Sequence, residues 1–179
     1  HFSSNNINNN YHPITIFEFS DGSKFDFREN NITLTYDNRA ETITGNIGDN
    51  IIDAQGGDDT ITTYGGDDII NGGAGDDEIS SGNGNDIITG GSGNDIINGE
   101  AGNDTYIWNV GDGMDTITDS SGFDKIKFGE GITSANLSFF KQGNNLLIFI
   151  NDNHQEGIII NRYFEGSYNI ELLEFTDGS

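Results

Sequence analysis

The feature that most constrains this chain is a nine-residue period that runs from Gly45 to Ile107 without a gap. Seven consecutive units share a glycine at position four, an aspartate at position six in six of the seven, and a large apolar or aromatic residue at position eight. A degenerate unit over residues 36–44 precedes them. A repeat of this length predicts small structural units that stack on one another, because a single unit cannot bury its own apolar side.

Each conserved position within the unit has a physical task. Glycines in the first four positions permit positive φ and tight turns, so that several carbonyl oxygens can point at one spot. Position six adds a carboxylate, and turns that are rich in acids and offer only oxygen ligands suit calcium rather than zinc. The position-six residues are Asp59, Asp68, Asp77, Asp86, Asp95 and Asp104, with Asn50 in the first unit.

The apolar positions predict one three-residue strand per unit. Position eight carries Ile52, Ile61, Ile70, Ile79, Ile88, Ile97 and Tyr106, and position seven adds Ile51, Ile69, Ile87 and Ile96. Ordering a residue costs about 1 to 2 kcal/mol, and burying one isoleucine returns about 1.5 to 3 kcal/mol. Stacked isoleucines are therefore too few to hold nine-residue units together, and bound metal is the additional stabilising term that we expect.

Charge supports the same expectation. The chain has 30 acidic and 7 basic residues, a net charge of −23, and residues 45–107 contain 13 acidic residues and no lysine or arginine. Divalent cations can turn this repulsion into cross-links. Nucleic acids and anionic membranes are poor partners for such a chain. It has no cysteine, no apolar run long enough to span a membrane, and no initiating methionine, which suggests a fragment.

These units resemble the RTX, or haemolysin-type, calcium-binding repeat family, whose pattern is GGxGxDxUx. The resemblance implies a right-handed parallel β-roll in which two units make one coil, so that calcium lies between a turn and the turn two units later. It would pair Asp59 with Asp77, Asp68 with Asp86, Asp77 with Asp95, and Asp86 with Asp104, with a poorer site from Asn50 and Asp68. Roughly four to six calcium ions follow.

The resemblance also implies backbone ligands from the turns. Positions two and four of the earlier turn would contribute the carbonyls of Gln55, Gly57, Tyr64, Gly66, Gly73, Gly75, Gly82 and Gly84. Positions one and three of the later turn would contribute those of Gly72, Ala74, Ser81, Asn83, Gly90, Ser92, Gly99 and Ala101. Beyond residue 107 the period breaks, and we predict that Gly91, Gly93 and Asp95 meet Asp112 or Asp115.

The flanking regions predict β-rich caps on an all-β chain. Residues 1–13 are predicted to be a disordered or cloning-derived lead-in, 14–44 a hairpin and cap, 45–107 the roll, and 108–179 a capping segment that resembles those of haemolysin-related proteins. Alternating apolar residues predict strands over 123–128, 137–140, 146–150, 158–160 and 170–175.

The function that the resemblance implies is a calcium-dependent folding module of a secreted bacterial RTX protein, exported by a type I system and monomeric as a fragment. Alternatives are a polysaccharide- or surface-binding module of an adhesin or epimerase-like enzyme, with Trp108, Tyr64 or Tyr163 exposed, and the accessory region of a toxin, protease or lipase. We predict no intrinsic catalysis, because neither an HExxH nor a GxSxG motif occurs.

Overall fold

The structure is a computed structural model that describes residues 16–18, 24–26, 31–151, 153–166 and 170–176. The predicted lead-in over residues 1–13 lies outside the described residues. Two short strands, β1 (Ile16–Glu18) and β2 (Lys24–Asp26), pair antiparallel with Phe17 opposite Phe25. This pairing confirms the hairpin that the alternating residues predict.

Most of the remaining strands stack into two parallel sheets, which confirms the predicted all-β parallel roll. The seven-stranded sheet contains β3 (Ile32–Thr35), β5 (Asn50–Asp53), β7 (Ile69–Ala74), β9 (Ile87–Ser92), β11 (Thr105–Trp108), β13 (Lys125–Phe128) and β17 (Leu172–Phe175), in that spatial order. The parallel part of the eight-stranded sheet contains β4 (Thr42–Thr44), β6 (Thr60–Thr62), β8 (Glu78–Ser80), β10 (Ile96–Ala101), β12 (Met114–Ser121) and β16 (Asn153–Ile160).

Successive strands alternate between the two sheets, so two nine-residue units complete one coil. Ile51 lies opposite Ile69, and Ile69 lies opposite Ile87, an offset of 18 residues at each step. The offset becomes 20 where Thr105 pairs with Lys125 and where Ile96 pairs with Thr116. A single two-residue insertion between β11 and β12 explains both longer offsets, because residues 96–116 and residues 105–125 each include that connection.

The core is a ladder of position-eight side chains between the two sheets. The six isoleucines and Tyr106 predicted for this position are all buried. The ladder extends to Ile43 in the degenerate unit before the repeats and to Ile117 and Ile126 after them. Parallel stacking therefore runs beyond both ends of the regular nine-residue period, and β4, which pairs with β6, confirms that residues 36–44 form a degenerate unit.

Glycine at positions two and four permits adjacent coils to approach closely. Gly84 has φ of 141°, and a Cβ atom built on it would lie 1.8 Å from the carbonyl oxygen of Gly66 in the previous coil. Gly75 has the same relation to Gly57, at 2.2 Å. Any side chain at these positions would push the coils apart, which explains the glycines on steric grounds.

An antiparallel extension closes one end of the roll. The strands β14 (Leu137–Gln142) and β15 (Asn145–Ile150) form a hairpin beside β16, and short 3-10 turns lie at Ser134–Asn136 and Tyr163–Glu165. Strand β17 covers the last coil, where Phe175 stacks on Phe128 with ring centroids 5.3 Å apart. Strands are thus present in all five segments predicted after residue 122. Among the described residues, no helix is long and apolar enough to cross a membrane.

Candidate metal centre

The position-six carboxylates form two rows, one at the start of the strands of each sheet. Backbone hydrogen bonds link the members of a row through successive coils. The first row is Glu41, Asp59, Asp77, Asp95 and Asp115. The second row is Asn50, Asp68, Asp86, Asp104, Asp124 and Glu171. The structure therefore brings together all four aspartate pairs that the resemblance implies.

One oxygen of each carboxylate has a fixed partner. The backbone N–H of Asp59 donates to Oδ1 of Asp77 at 2.8 Å, and the N–H of Asp77 donates to Oδ1 of Asp95 at 2.9 Å. The second row repeats this geometry, with the N–H of Asp86 donating to Oδ1 of Asp104 at 2.8 Å. These bonds orient every carboxylate toward the preceding coil.

The other oxygen of each of the six predicted aspartates has no hydrogen-bond partner among the described residues. The six predicted aspartates are at most 2% exposed, and Oδ2 of each is buried without a hydrogen bond. They are Asp59, Asp68, Asp77, Asp86, Asp95 and Asp104. A buried charged oxygen that is left unpaired costs several kcal/mol, and such groups normally bind a counter-charge or a metal. Six unpaired Oδ2 atoms in two stacked rows therefore favour bound cations.

Burial shifts the proton affinity of these groups. It raises the pKa of Asp77 to about 6, that of Asp95 to about 7 and that of Asp104 to about 8, because desolvation disfavours the charged form. The backbone hydrogen bond opposes this shift, and the like charge of neighbouring aspartates adds to it. Without a cation, the folded coil therefore favours protonated carboxyl groups.

Many of the carbonyls predicted as ligands also accept hydrogen bonds between turns. The N–H of Ala74 donates to the carbonyl of Gln55 at 3.0 Å, and the N–H of Gly57 donates back to the carbonyl of Ala74 at 2.7 Å. A carbonyl oxygen has two lone pairs, so such a bond leaves one free for a metal ion. These turns hold the carbonyls in place, and their role as metal ligands stays a prediction.

Asn50 changes the chemistry of the first turn. Its Nδ2 donates to Oδ1 of Asp68 at 2.8 Å and to the carbonyls of Asn46 and Gly48, which are positions two and four of its own unit. The side-chain amide of Asn50 thus contacts the carbonyl oxygens at positions two and four, which are the predicted calcium ligands in the other units. Calcium predicted between Asn50 and Asp68 would have to displace these bonds.

The two predicted partners of Asp95 take different positions. Oδ1 of Asp115 accepts the N–H of Asp95 at 3.0 Å and continues the first row. The carboxylate of Asp112 instead accepts the N–H of Asn109 at 2.6 Å within the inserted loop, while its carbonyl accepts the N–H of Gly93. Asp115 is therefore the residue that continues the repeated geometry.

The sequence reasoning missed four acidic residues, Glu41, Asp119, Asp124 and Glu171. Asp124 had a readable signal, because Gly122-Phe123-Asp124-Lys125-Ile126 preserves the glycine, aspartate and isoleucine of positions four, six and eight. Glu41 is position six of the degenerate unit over residues 36–44, and Glu171 holds the corresponding place at the other end, where no nine-residue period marks it. Asp119 has no counterpart in the pattern.

One aromatic residue suggested for surface binding is buried. Trp108 is 2% exposed and packs edge-on against Phe128 with ring centroids 6.3 Å apart, so it is not available for the alternative surface-binding function. Its position at the end of the roll places it under the closing strands. Tyr64 is exposed, and Tyr163 is half-buried.

The residues present fit calcium. All donors are hard oxygens from carboxylates and carbonyls, neither cysteine nor histidine takes part, and each row offers orphaned charged oxygens at regular spacing. The position-five side chains form a separate exposed ladder in which, for example, Oδ1 of Asp67 accepts the N–H of Asn85 at 2.8 Å.

Comparison with known proteins agrees with this geometry. Residues 37–70, 44–79 and 71–106 match the family model described as RTX calcium-binding nonapeptide repeat (4 copies). Iron-regulated protein FrpA of Neisseria meningitidis serogroup C is 33% identical over 82 residues, which cover 41% of this chain and only 7% of that protein. Stacked coils, rows of buried carboxylates and the family match agree that residues 37–106 carry RTX calcium-binding nonapeptide repeats.

Proposed function

We propose that this chain is a calcium-dependent folding module of a secreted RTX protein. The observation that carries the proposal is the set of six buried Oδ2 atoms without a partner, one on each position-six aspartate of the regular repeats. A chain that folds this way without a cation must bury unpaired charges or protonate them. Calcium removes this penalty and joins adjacent coils.

The same charges make folding conditional on calcium. Because only the folded chain assembles the sites, each one held at ten times its dissociation constant adds about 1.4 kcal/mol to stability. Extracellular calcium modules bind at about 10⁻⁴ to 10⁻³ M, far above the calcium level inside a cell. A chain with several such sites remains unfolded where calcium is scarce and folds where it is abundant.

The proposed ligand set contains six inter-coil sites, the upper end of the predicted range. Each joins two successive aspartates of a row, through the four predicted pairs and through Asp95 with Asp115 and Asp104 with Asp124. The turn carbonyls predicted from the resemblance complete each site. The roll of residues 45–107 then acts as the calcium-binding unit, with residues 108–179 as its cap.

Further aspects of the proposal concern the protein around this chain. RTX repeats are generally structural and calcium-binding, and we propose that this chain is monomeric and has no catalysis of its own. We also propose type I secretion to the extracellular space, because an acidic chain that is unfolded at low calcium suits export. The activity of the parent protein would then belong to other regions.

Circular dichroism and thermal unfolding test the proposal. In millimolar calcium we expect a β spectrum and a cooperative transition, and in excess chelator we expect both to be lost. Magnesium at the same ionic strength is the matched control, because it demands near-octahedral geometry and retains its waters. A chain equally folded in excess chelator would contradict the proposal.

A second candidate function is carbohydrate binding by the outer surface. Tyr64 is 54% exposed and, with Ile47, lines a shallow cavity of about 290 Å³. Aromatic rings with a polar tip are suited to such contacts. A glycan array probed with the calcium-loaded chain and with Tyr64→Ala tests this role, and equal signals from both would exclude Tyr64.

A further inference from the structure

We propose that Asp104, Asp119 and Asp124 form a calcium site with three carboxylates that binds its ion more tightly than the two-carboxylate sites of the regular repeats. The inference rests on the proposed calcium-binding function and deepens it. It adds Asp119, which does not belong to either row, and Tyr106, which positions it.

Asp119 lies beside a residue without a side chain. Thr118 pairs with Asn98 and Asp119 pairs with Glu100, and this register shift leaves Gly99, at position one of its unit, next to the Asp119 carboxylate. The other position-one residues in the regular units are glycine, alanine, threonine or serine. Asp119 is 2% exposed, so its carboxylate points into the roll rather than into solvent.

Tyr106 supports this carboxylate from the core ladder. Position eight is isoleucine in the other six units, and the aromatic exception occurs one coil before Asp119. The Tyr106 hydroxyl donates a short hydrogen bond to Oδ2 of Asp119, and the ring is 1% exposed. The two exceptions to the repeat pattern therefore form a contact with each other.

The three carboxylates have the spacing of a calcium site. One oxygen from each lies within 4.8 Å of the other two, and all three residues are buried. Two ligands that are each 2.3 to 2.6 Å from one calcium ion can be at most about 4.6 to 5.2 Å apart. One ion can therefore contact all three side chains.

An independent feature indicates that a ligand belongs there. Oδ2 of Asp104 has no hydrogen-bond partner although the residue is 1% exposed. It lies 2.6 Å, and Oδ2 of Asp119 lies 2.8 Å, from the point where a Cβ atom on Gly99 would be. Both oxygens thus converge over a residue without a side chain.

In the part of the chain that the structure describes, no ion pair joins a lysine or arginine to this cluster. The nearby Lys125 and Lys127 extend instead to Glu174, with Nζ to oxygen distances of 3.1 and 3.8 Å. A regular site has two carboxylates, whereas this one has three. Since calcium affinity rises with the number of charged ligands, this site is filled first in a titration.

A calcium titration in competition with a chromophoric chelator tests the assignment on the whole chain. Asp119→Asn preserves the shape and removes the charge, and Asp119→Ser removes the carboxylate while retaining a small polar side chain. We expect both to weaken the tightest step by about 10- to 100-fold, the range for groups that support a metal site. The weaker steps and the calcium-saturated β spectrum should remain.

The matched control is Asp76→Asn, which removes one charge from the exposed position-five ladder. An unchanged tightest step in the Asp119 variants, a loss equal to that of the control, or a loss in the asparagine variant alone would overturn the proposal. If calcium folds the chain but Asp119 has no effect, the site fails while the folding function stands.

Terbium luminescence provides a test in the unaltered chain. Tyr106 lies against the site, so excitation of tyrosine should produce terbium emission with the first equivalent of ion, and calcium should compete it away. Tyr106→Phe should abolish most of that first-equivalent emission. Emission that appears only after several equivalents, or that survives in the phenylalanine variant, would refute the assignment even if the Asp119 variants do not fold.

Discussion

Asp77→Asn should change the stability of the roll in opposite directions with and without calcium. Asp77 is in the middle of the first row, where its Oδ1 accepts the N–H of Asp59 and its own N–H donates to Asp95. Asparagine retains the acceptor and replaces the orphaned Oδ2 with an amide. Asn50 shows how such an amide is accommodated, since it donates to carbonyls of its own turn.

The magnitude follows from the burial of the carboxylate. Burial raises the pKa of Asp77 from 3.8 to about 6, so above pH 7 its ionised form costs the calcium-free fold about 3 kcal/mol, at 1.36 kcal/mol per unit. The variant should be more stable than wild type by that amount in chelator. In calcium at a hundred times the dissociation constant, the two proposed sites that it loses would have contributed about 5.4 kcal/mol, which outweighs the gain and leaves the variant about 2 kcal/mol less stable than wild type.

Urea unfolding monitored by far-ultraviolet circular dichroism measures both effects. The chelator arm needs an osmolyte such as trimethylamine N-oxide, so that a folded population exists to be compared. Asp76→Asn is the neighbouring control, because it removes the same charge from an exposed position. If Asp77→Asn does not lose stability relative to wild type on addition of calcium, or if the control behaves the same way, the carboxylate is not a cation ligand. If the variant is less stable than wild type in chelator, the burial cost is refuted.

Three further outcomes are expected. Burial raises the pKa of Asp104 to about 8, so the calcium-free coil should gain stability as the pH falls from 8 to 5. Over the same range, the calcium concentration at the folding midpoint should rise. Circular dichroism at both pH values checks this, and a calcium-free coil that loses stability in acid would contradict it. Asn50→Asp should add one bound calcium ion per chain by calorimetry, unlike Asn85→Asp on the exposed ladder, and an unchanged ion count would refute the reading of the first turn. Gly84→Ala should destabilise the calcium-loaded roll by roughly 2 kcal/mol or more, because its Cβ would overlap the carbonyl of Gly66, and a melting temperature within one degree of wild type would rule out that contact.

Local pattern was sufficient to predict the regular part of the roll. A glycine at position four, an aspartate at position six and an isoleucine at position eight recur at a constant interval, and a stacked coil repeats the same contacts at a constant offset. The pairing of Asp59 with Asp77 therefore follows from counting, once two units are taken to make one coil. The isoleucine core follows from the same count.

The nine-residue repeat no longer predicts the structure where the offset between adjacent coils changes. The two-residue insertion around Val110 and Gly111 shifts the offset to 20, and the structure absorbs it in an exposed loop before β12 resumes the stack. Trp108 faces inward like Tyr106 two residues before it, and Phe128 of the next coil covers it. The nine-residue period ends before Trp108, so the repeat pattern did not predict that the next coil continues over it.

The repeat, the two acidic rows and the apolar ladder can be predicted from the amino-acid pattern, because each depends only on neighbours at a fixed distance along the chain. Packing between coils, in contrast, sets which oxygen of each of the six aspartates is left without a partner and places Asp119 beside Asp104 and Asp124. These outcomes depend on how one coil lies over the next, which no single unit specifies. Asp119 faces inward with Asp115 and Ile117 on the alternation of β12, and the register shift between β10 and β12, which packing between coils sets, places its carboxylate beside Gly99.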